Sequence, residues 1–353
     1  MKQLYVVFYV LLGCCAVYMI CASVIQAPKM HIASAPVDTK YVPVNRIVSL
    51  CKPVPMIVMG LDAGDGRLVG VNPETKLSMQ NNILNKYFPA FQQLSGAVCN
   101  NAFEPNIEEL IRLKPDLVLQ WKRFAEKILE MQNFGFNVVG MEHDGSERAE
   151  RDMVRILAGA IGRAPRADSI LQMREAAMKK IKEITDPIPK DKRPRVIFVY
   201  NFEQMRIGGE KSYEHFCIEL AGGRNMGVGL GVDRSVNIEQ ILVWDPEIIF
   251  IGGWRTNVTP DDLYNSPILK EVSAIRNRRV IKMPVWASNE SVLTWGWMAD
   301  ILHPDLFYFD MRDEIRTSYA WQYHINLSEA DIDKVLFNEQ NAGSPLYDRF
   351  KQY

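Results

Sequence analysis

Short apolar runs alternate with amphipathic stretches along most of the chain. Seven mostly aliphatic runs predict strands, at 46–51, 68–71, 116–120, 137–141, 196–200, 247–251 and 279–283. Between them, apolar side chains spaced for one helical face predict helices, near 54–61, 77–87, 106–113, 123–134, 212–221, 237–243 and 290–302. Because apolar strands separated by helices are typical of parallel sheets covered on both faces, the pattern predicts an α/β fold.

The centre of the chain, residues 147–184, shows no strand pattern. Residues 149–162 predict one helix, and Pro165 suits the first turn of a second helix. Apolar side chains then recur at helical spacing up to Ile184, which predicts a rod of about 20 residues and roughly 30 Å. A long helix between two α/β halves predicts two lobes joined by a rigid strut.

A short sequence unit occurs once in each half. Asn106 opens a run that reads Asn-Ile-Glu, a short helix, then Pro, an acidic residue and a strand. Asn237 opens a second run with the same order. Each Asn lies nine residues before its Pro, at Pro115 and Pro246. The same spacing in both halves predicts two lobes built on one plan.

The first 28 residues differ from the rest. Lys2 is the only charged side chain before Lys29, and the apolar run between them predicts an export signal. Three variants stay open: a lipobox that ends at Cys14 and lipidates it, cleavage after Ala22 or Ser23, and an uncleaved anchor. Each variant places the folded part outside the cytoplasm, in the periplasm or at the outer face of the membrane.

These patterns divide the chain into six predicted parts. A signal or anchor, a tether and a first α/β lobe occupy 1–28, 29–45 and 46–146. Connecting helices, a second α/β lobe and a C-terminal helical appendage follow at 147–186, 193–303 and 304–353. Within the appendage, residues 310–337 predict one amphipathic helical stretch, with Ser328 as a candidate cap.

Composition and charge exclude some function classes. The 353 residues carry 41 basic and 42 acidic side chains, and this balance argues against a nucleic acid partner, which normally requires a basic face. The sequence contains no GxSxG, HExxH or P-loop motif, so we do not expect an enzyme. The glycine-rich run 227–231 lies between predicted helices, and we interpret it as a cleft loop.

Cysteine and histidine positions bear on redox state and metals. Cys51 and Cys99 each end an apolar run, so both a disulfide in an oxidising compartment and two buried thiols are open. His143 is the one histidine at a predicted strand end, and a bare metal site needs three or four converging ligands. We therefore expect no protein-bound metal or cofactor, although the ligand itself can contain iron or cobalt.

Candidate ligand-binding residues follow from the strand ends, because ligands of open α/β sheets bind beyond the carboxyl ends of the strands. On the first lobe this rule selects Cys51, Lys52, Trp121, Lys122, Arg123 and His143. On the second lobe it selects Tyr200, Phe202, Arg206, Trp254, Arg255 and Trp286. Aromatic walls with a few cations suit a bulky, partly anionic ligand. Packing between the lobes is the alternative interpretation of each residue.

At these residues the chain resembles the solute-binding proteins of ABC importers for iron-siderophore complexes, haem and cobalamin. The resemblance is carried by Arg46-Ile47-Val48-Ser49-Leu50, the Asn106–Leu119 unit, the long central helix and the Asn237–Gly253 unit. It implies a helical-hinge periplasmic binding protein, whose two lobes each have a mainly parallel sheet flanked by helices. One departure is the 22-residue linker 72–93, which is longer than expected for the family.

The resemblance also implies a ligand and a partner. A monomer would carry a ferric siderophore, haem or a corrinoid to a permease dimer with ATPase subunits. Glu108 and Glu239, the acids of the two Asn-Ile-Glu units, match family positions that meet permease arginines. Each could instead only stabilise its helix dipole, by about 0.3–1 kcal/mol. The alternatives for function are an oxyanion-binding protein for molybdate or tungstate, and a cell-surface enzyme, sensor or interaction module on the same scaffold.

Overall fold

Two sheets organise the part of the chain that the computed structural model describes, which is residues 44–252, 258–286 and 288–351. The predicted signal, 1–28, and all but the last two residues of the predicted tether, 29–45, lie outside the described residues. The exact limits of the lobes and of the appendage stay predictions.

The first sheet consists of four parallel strands in the order β2-β1-β3-β4. They are β1 (Ile47–Ser49), β2 (Leu68–Val71), β3 (Leu117–Trp121) and β4 (Val138–Met141). All five side chains of β3 are buried, which explains why this strand is apolar on both faces. The predicted runs therefore form strands, each within one or two residues of the expected bounds.

Helices α1 to α5 connect these strands. They are α1 (Val54–Asp62), α2 (Pro73–Gln80), α3 (Leu84–Tyr87), α4 (Ile107–Leu113) and α5 (Ala125–Asn133). The single helix predicted at 77–87 is wrong, because two asparagines start separate helices. The Asn72 side chain accepts from the Glu74 amide at 2.9 Å, and the Asn82 side chain accepts from the Leu84 amide at 2.8 Å. The long linker 72–93 is thus helical, and it ends in a 3₁₀ segment, Pro89–Gln93.

The two central helices are α6 (Glu147–Ile161) and α7 (Ala164–Thr185). Ser146 caps α6, and Gly162 ends it with φ +70°, a conformation that glycine adopts without strain. Helix α7 has 22 residues, so it spans roughly 33 Å at 1.5 Å per residue. This is the strut that the helical periodicity predicts.

The second sheet has six strands, β5 to β10, in the order β10-β9-β5-β6-β8, with β7 beside β5. They are β5 (Arg195–Asn201), β6 (Arg206–Gly208), β7 (Arg224–Asn225), β8 (Asp233–Ser235), β9 (Ile248–Ile251) and β10 (Val280–Lys282). Strands β5, β7, β9 and β10 are parallel, whereas β6 runs antiparallel to β5 and β8. The sequence does not predict β6, β7 and β8, because each has only two or three residues and no apolar run.

Helices α8 to α14 complete the second half. They are α8 (Tyr213–Leu220), α9 (Ile238–Trp244), α10 (Pro260–Tyr264), α11 (Ser273–Arg276), α12 (Ser291–Leu302), α13 (Met311–Tyr323) and α14 (Glu329–Val335), with 3₁₀ segments Lys190–Lys192, Ser288–Glu290 and Pro345–Phe350. The helical stretch predicted at 310–337 consists of two helices, and the candidate cap Ser328 is the N-cap of the second. His324 ends α13 with φ +56°, and Ser328 and Asp331 form a capping box that starts α14.

The repeated Asn-Ile-Glu unit is also repeated in three dimensions. Asn106 caps α4 by accepting from the Glu109 amide at 3.2 Å, and Asn237 caps α9 by accepting from the Gln240 amide at 2.9 Å. The strand after each helix pairs in parallel with the first long strand of its own sheet. The two halves are therefore built on one plan around this unit.

A buried ion pair joins the strut to its neighbours. The fully buried Arg174 guanidinium of α7 donates from Nε to Oε1 of Glu147 on α6 at 2.9 Å and from Nη2 to its Oε2. Nη2 also donates to the Tyr213 hydroxyl of α8 at 3.0 Å, and the guanidinium carbon lies 4.9 Å from the Trp295 ring of α12. One cation thus connects four helices that lie between the two sheets.

We expect Arg174→Met to lower the free energy of unfolding by about 3–5 kcal/mol, since it leaves the Glu147 carboxylate buried without its cation. Urea unfolding followed by circular dichroism measures the change. The control is Lys179→Ala on the same helix, whose exposed pair with Glu183 at 4.0 Å contributes about 0.5 kcal/mol or less. Similar losses for the two variants would show that the buried pair has no special role.

Candidate functional site

Three aromatic rings surround the Arg123 guanidinium beyond the carboxyl end of β3. Its central carbon lies 4.9 Å from the Phe124 ring, 5.5 Å from Trp121 and 5.8 Å from Phe103. Arg123 is exposed, and within the described residues it has no ion-pair partner. These four residues, named here the Arg123 cluster, present a cation held against aromatic faces. Such a surface suits an anion with a flat or apolar body.

The loop that carries Phe103 is fixed by side-chain hydrogen bonds. The buried side chain of Gln120 donates from Nε2 to the Phe103 carbonyl at 3.0 Å, and its Oε1 accepts from the backbone N–H of Trp121 at 2.8 Å. The Asn100 side chain accepts from two further amides of the same loop. Phe103 itself has φ +61°, which a bulky residue adopts only when its surroundings hold it there. The Arg123 cluster is therefore preorganised.

Lys52 and Cys51 lie beside this cluster. The Lys52 ammonium is 5.4 Å from the Phe103 ring and 2.5 Å from the Glu74 carboxylate, so its charge is already compensated. Cys51 is buried, and burial raises the pKa of its thiol well above the usual value, while the Arg123 charge acts in the opposite direction. Lys52 thus edges the site, and Cys51 forms part of its floor.

The disulfide that the sequence allows between Cys51 and Cys99 does not form in the structure. Both thiols are free and buried, as is that of Cys217. Burial raises the pKa of Cys99 to about 11, although the Asn72 amide, 3.4 Å from the sulfur, opposes the shift. These cysteines therefore behave as small apolar core residues.

His143, after β4, adds a titratable ring to the site. Its ring lies 5.5 Å from Trp121, and Nδ1 is 3.2 Å from a carboxylate oxygen of the buried Glu150. That hydrogen bond raises the pKa of His143 above its usual value, although burial of the ring works against the shift. Glu214 raises the pKa of His143 further, and Arg123 lowers it.

Tyr200 and Glu214 bring the second half to the same place. Tyr200, near the end of β5, hydrogen-bonds through its hydroxyl to the Glu214 carboxylate of α8. Burial raises the pKa of Glu214, whereas the Tyr200 hydroxyl and the His143 charge lower it. Because His143 follows a strand of the first sheet and Tyr200 lies in the second, the carboxyl ends of the two sheets meet here. The candidate site thus lies where the two lobes meet.

Two of the predicted cations are paired elsewhere. Lys122 is exposed, and its ammonium lies 3.7 Å from the Glu142 carboxylate. Arg206 donates from Nε to Asp233 at 2.6 Å, across the pairing of β6 with β8. Neither side chain contacts the Arg123 cluster in a described interaction.

The other predicted aromatics do not join the cluster either. Phe202 packs against buried aliphatic side chains of the second sheet. Trp286 is buried in the core with its ring 5.9 Å from Trp297, and its indole nitrogen has no hydrogen-bond partner among the described residues. Trp254 and Arg255 lie outside the described residues.

Sequence reasoning missed four residues of the site: Phe103, Phe124, Glu150 and Glu214. Phe124 directly follows the predicted strand-end cation, so extending the strand-end window by one residue would have found it. Phe103 lies in a loop without periodicity, and the two glutamates lie in helices. Their contribution depends on folding, since only the tertiary structure brings helix residues to the strand ends.

Two features are absent from the described part of the chain. There, no group of three or more His, Cys, Asp or Glu side chains is arranged to hold a metal ion. No helix of that part is both long and apolar enough to span a bilayer.

Residues 74–285 match the sequence profile of the family described as periplasmic binding protein. The chain belongs to this family. The match covers more than half of the sequence and includes strands β3 to β10. The resemblance inferred from the sequence is therefore confirmed. The helical-hinge α/β fold is confirmed by related solved structures as well.

A periplasmic solute-binding protein from Veillonella parvula matches with a TM-score of 0.78 and 25% identity, over 86% of this chain and 94% of that one. The molybdate-binding protein MolA of Haemophilus influenzae is 22% identical over 80% of this chain and 86% of its own. Its molybdate-bound structure has a TM-score of 0.72 and 21% identity, covering 82% of this chain and 96% of that one. The iron-uptake system-binding protein of Bacillus subtilis is 25% identical over 61% of this chain and 69% of its own.

This chain is therefore a periplasmic solute-binding protein of an ABC transporter. Its relatives are transport proteins rather than enzymes. Their names differ in the solute that is bound, so the family alone leaves the ligand open.

Proposed function

We propose that this binding protein captures a bulky metal chelate, such as a ferric siderophore, haem or a corrinoid, and delivers it to its permease. The observation that carries the proposal is the Arg123 cluster, an exposed cation without a carboxylate partner among the described residues, held against three rings. The half-buried Phe103 and Phe124 rings offer contact area for a bulky ligand, while the buried Trp121 ring packs against the guanidinium, which offers a hydrogen-bonding charge.

In this proposal the ligand touches both lobes. Arg123 and His143 bind it from the first lobe, with the buried Trp121 ring packed near both, and Tyr200 binds it from the second. Cys51 and Lys52 lie at the edge of the same site. Lys122 and Arg206 have a lesser role, because each is already paired with a carboxylate, Glu142 and Asp233 respectively. Export through the segment 1–28, with or without a lipid on Cys14, would place the cleft outside the cytoplasm.

An oxyanion is the second candidate, and a specific finding favours it. The molybdate-binding MolA aligns over most of both chains, in sequence and in structure. A tetrahedral anion would need Arg123 and a protonated His143, but it is too small to use three aromatic rings. The rings therefore distinguish the two candidates.

Arg123→Ala should weaken binding of an anionic chelate about tenfold to a hundredfold, because a hydrogen bond to a charged group contributes about 1.5–3 kcal/mol. Tryptophan fluorescence titration with ferric citrate, a ferric tris-catecholate, haemin, cyanocobalamin and molybdate measures it. The matched control is Lys122→Ala, which removes the same charge from the neighbouring position and should change affinity less than threefold. Equal losses would refute a specific role for Arg123.

Phe103→Leu separates the two ligand classes. Loss of the ring should weaken binding of a bulky chelate severalfold, since a ring–ligand contact contributes about 0.5–1.5 kcal/mol beyond its area. Binding of molybdate should stay unchanged. A protein that binds molybdate tightly and none of the chelates would make the oxyanion the ligand.

Affinity for the anionic ligand should fall as pH rises above about 6.5. His143 carries its proton below its pKa, which the Glu150 hydrogen bond raises above the usual 6.5, so the favourable charge is lost as pH passes through that raised value. Titrations between pH 6 and pH 9 measure the slope. His143→Gln should flatten it, and a slope that persists in this variant would belong to another group, such as Glu214.

We further propose that Glu108 and Glu239 dock the protein onto the permease. Both are exposed, in the first turns of α4 and α9. The adjacent Glu109 is instead held by Arg112 at 2.6 Å and by Ser95, which lower its pKa to about 2. Glu108 is thus the carboxylate of this turn that is left to meet a partner.

Changing Glu108 and Glu239 together to Ala should leave ligand affinity within twofold while uptake by the host falls about tenfold. Charges at an interface rim mainly set the encounter rate and the orientation. The control is Glu130→Ala with Glu271→Ala, two exposed glutamates outside the repeated units. Normal uptake at limiting ligand by the Glu108/Glu239 variant would refute docking, and lost ligand binding would assign these carboxylates to the site or the fold.

A further inference from the structure

Each proposed docking helix carries an exposed aliphatic side chain next to its glutamate. Ile111 on α4 is 56% exposed, and Leu242 on α9 is 40% exposed. Both lie three residues after the glutamate, so glutamate and aliphatic residue are neighbours on one helical face. The opposite face is buried, since Leu110 and Ile241 are 0% and 2% exposed.

A single exposed aliphatic residue on a protein surface is ordinary and needs no explanation. What calls for one here is that the same side-chain class recurs at the same position of both repeated units. The two helices are structurally equivalent, as the strand register and the anchoring contacts establish.

The register of the following strands matches. Leu117 lies opposite Ile47 in the first sheet, and Ile248 lies opposite Val196 in the second. Leu117 is eleven residues after Asn106, and Ile248 is eleven residues after Asn237. The strand that follows each docking helix therefore begins its pairing at the same position relative to the capping asparagine.

An arginine anchors the end of each helix in the same way. Nε of Arg46 donates to the carbonyl of Lys114 at 3.1 Å, and Nε of Arg195 donates to the carbonyl of Asp245 at 2.8 Å. Lys114 and Asp245 are the C-caps of α4 and α9, with φ +47° and +40°. Equivalent side chains thus hold equivalent turns.

The acidic residue after each Pro completes the match. A carboxylate oxygen of Asp116 accepts from the Arg46 amide at 2.9 Å, and one of Glu247 accepts from the Arg195 amide at 2.9 Å. The backbone bond is the same as well, since the amides of Asp116 and Glu247 donate to the carbonyls of Arg46 and Arg195 at 2.8 Å. The two helices therefore have the same orientation relative to their sheets.

We propose that Glu108 with Ile111, and Glu239 with Leu242, form two matched docking surfaces that bind the permease dimer. Each surface fits a partner that presents a basic side chain beside a shallow apolar hollow. A partner that engages both surfaces at once must present that combination twice, which a two-fold dimer does. This inference rests on the docking role proposed for the two glutamates and adds the apolar half of the contact.

The neighbouring helix positions show how far each docking surface extends. Position 112 is an arginine engaged by Glu109, whereas the equivalent position on α9 is Val243, which is exposed. Apart from the capping asparagines, only the glutamate and the residue three positions later are exposed on both helices and share a side-chain class, so these positions make up the matched surfaces.

Photo-crosslinking in the native host tests the proposal. A benzophenone amino acid at position 111 or 242 of the full-length chain should crosslink, on illumination, to the same transmembrane permease polypeptide at the same segment. Positions 129 and 268 are matched controls, because Leu129 and Ile268 are each 57% exposed and lie outside the repeated units. They should give no such crosslink.

A second measurement avoids the bulky probe. The transporter whose permease was identified by crosslinking is solubilised in detergent and immobilised. The double variant Ile111→Ser with Leu242→Ser should bind it with an affinity about tenfold lower or more. Leu129→Ser with Ile268→Ser should change it less than twofold. Circular dichroism and the unfolding midpoint establish that both variants are folded.

The outcomes separate this inference from the glutamate role. Permease crosslinks from both positions, together with the loss in the serine variant, support it. Uptake that depends on Glu108 and Glu239 without those crosslinks overturns the aliphatic contribution and leaves the glutamates in place. Crosslinks to a second copy of this chain overturn the inference, and normal uptake by the glutamate variant overturns both proposals.

Discussion

The arrangement of the two lobes depends on one buried ion pair, between Arg174 and Glu147. A guanidinium without solvent is costly unless its donors are satisfied, and here the carboxylate and the Tyr213 hydroxyl accept from it while the Trp295 ring lies 4.9 Å away. Those partners come from three other helices, so the strut cannot shift along its axis without breaking the set. Because α6 starts just after His143 and α8 carries Glu214, the same pair fixes the spacing of the two sides of the cleft.

Burial and charge are divided in a consistent way across the site. The floor and walls are apolar or neutral, with thiols whose raised pKa keeps them protonated and rings fixed by the Gln120 amide. The charges that face the cleft are few, and most already have partners: Lys52 with Glu74, and His143 with Glu150. Arg123 is the exception among the described residues, which is why the proposed ligand chemistry centres on it.

The sequence predicts the architecture well and the site only in part. Strands such as β3 are identifiable because all their side chains are buried, so the apolar run needs no tertiary context. Strands such as β8, which reads Asp-Arg-Ser, form only because a neighbouring strand supplies hydrogen-bond partners. In the site, Trp121 and Arg123 follow from their place at a strand end. Phe103, Glu150 and Glu214 do not, since they reach the cleft from a loop and from helices that tertiary packing brings there.

Gly145, between β4 and α6, lies against the backbone of the second half of the chain. Its φ is +78°, and a β-carbon at this position would lie 2.3 Å from the Lys211 carbonyl before α8. Any side chain at position 145 would therefore push the loop after β4 away from the segment that leads into α8. His143 and Glu214 lie close to this contact in the sequence, two residues before it and three residues after Lys211. The distance at which the two halves face each other across the site thus depends on the absence of a side chain at one position.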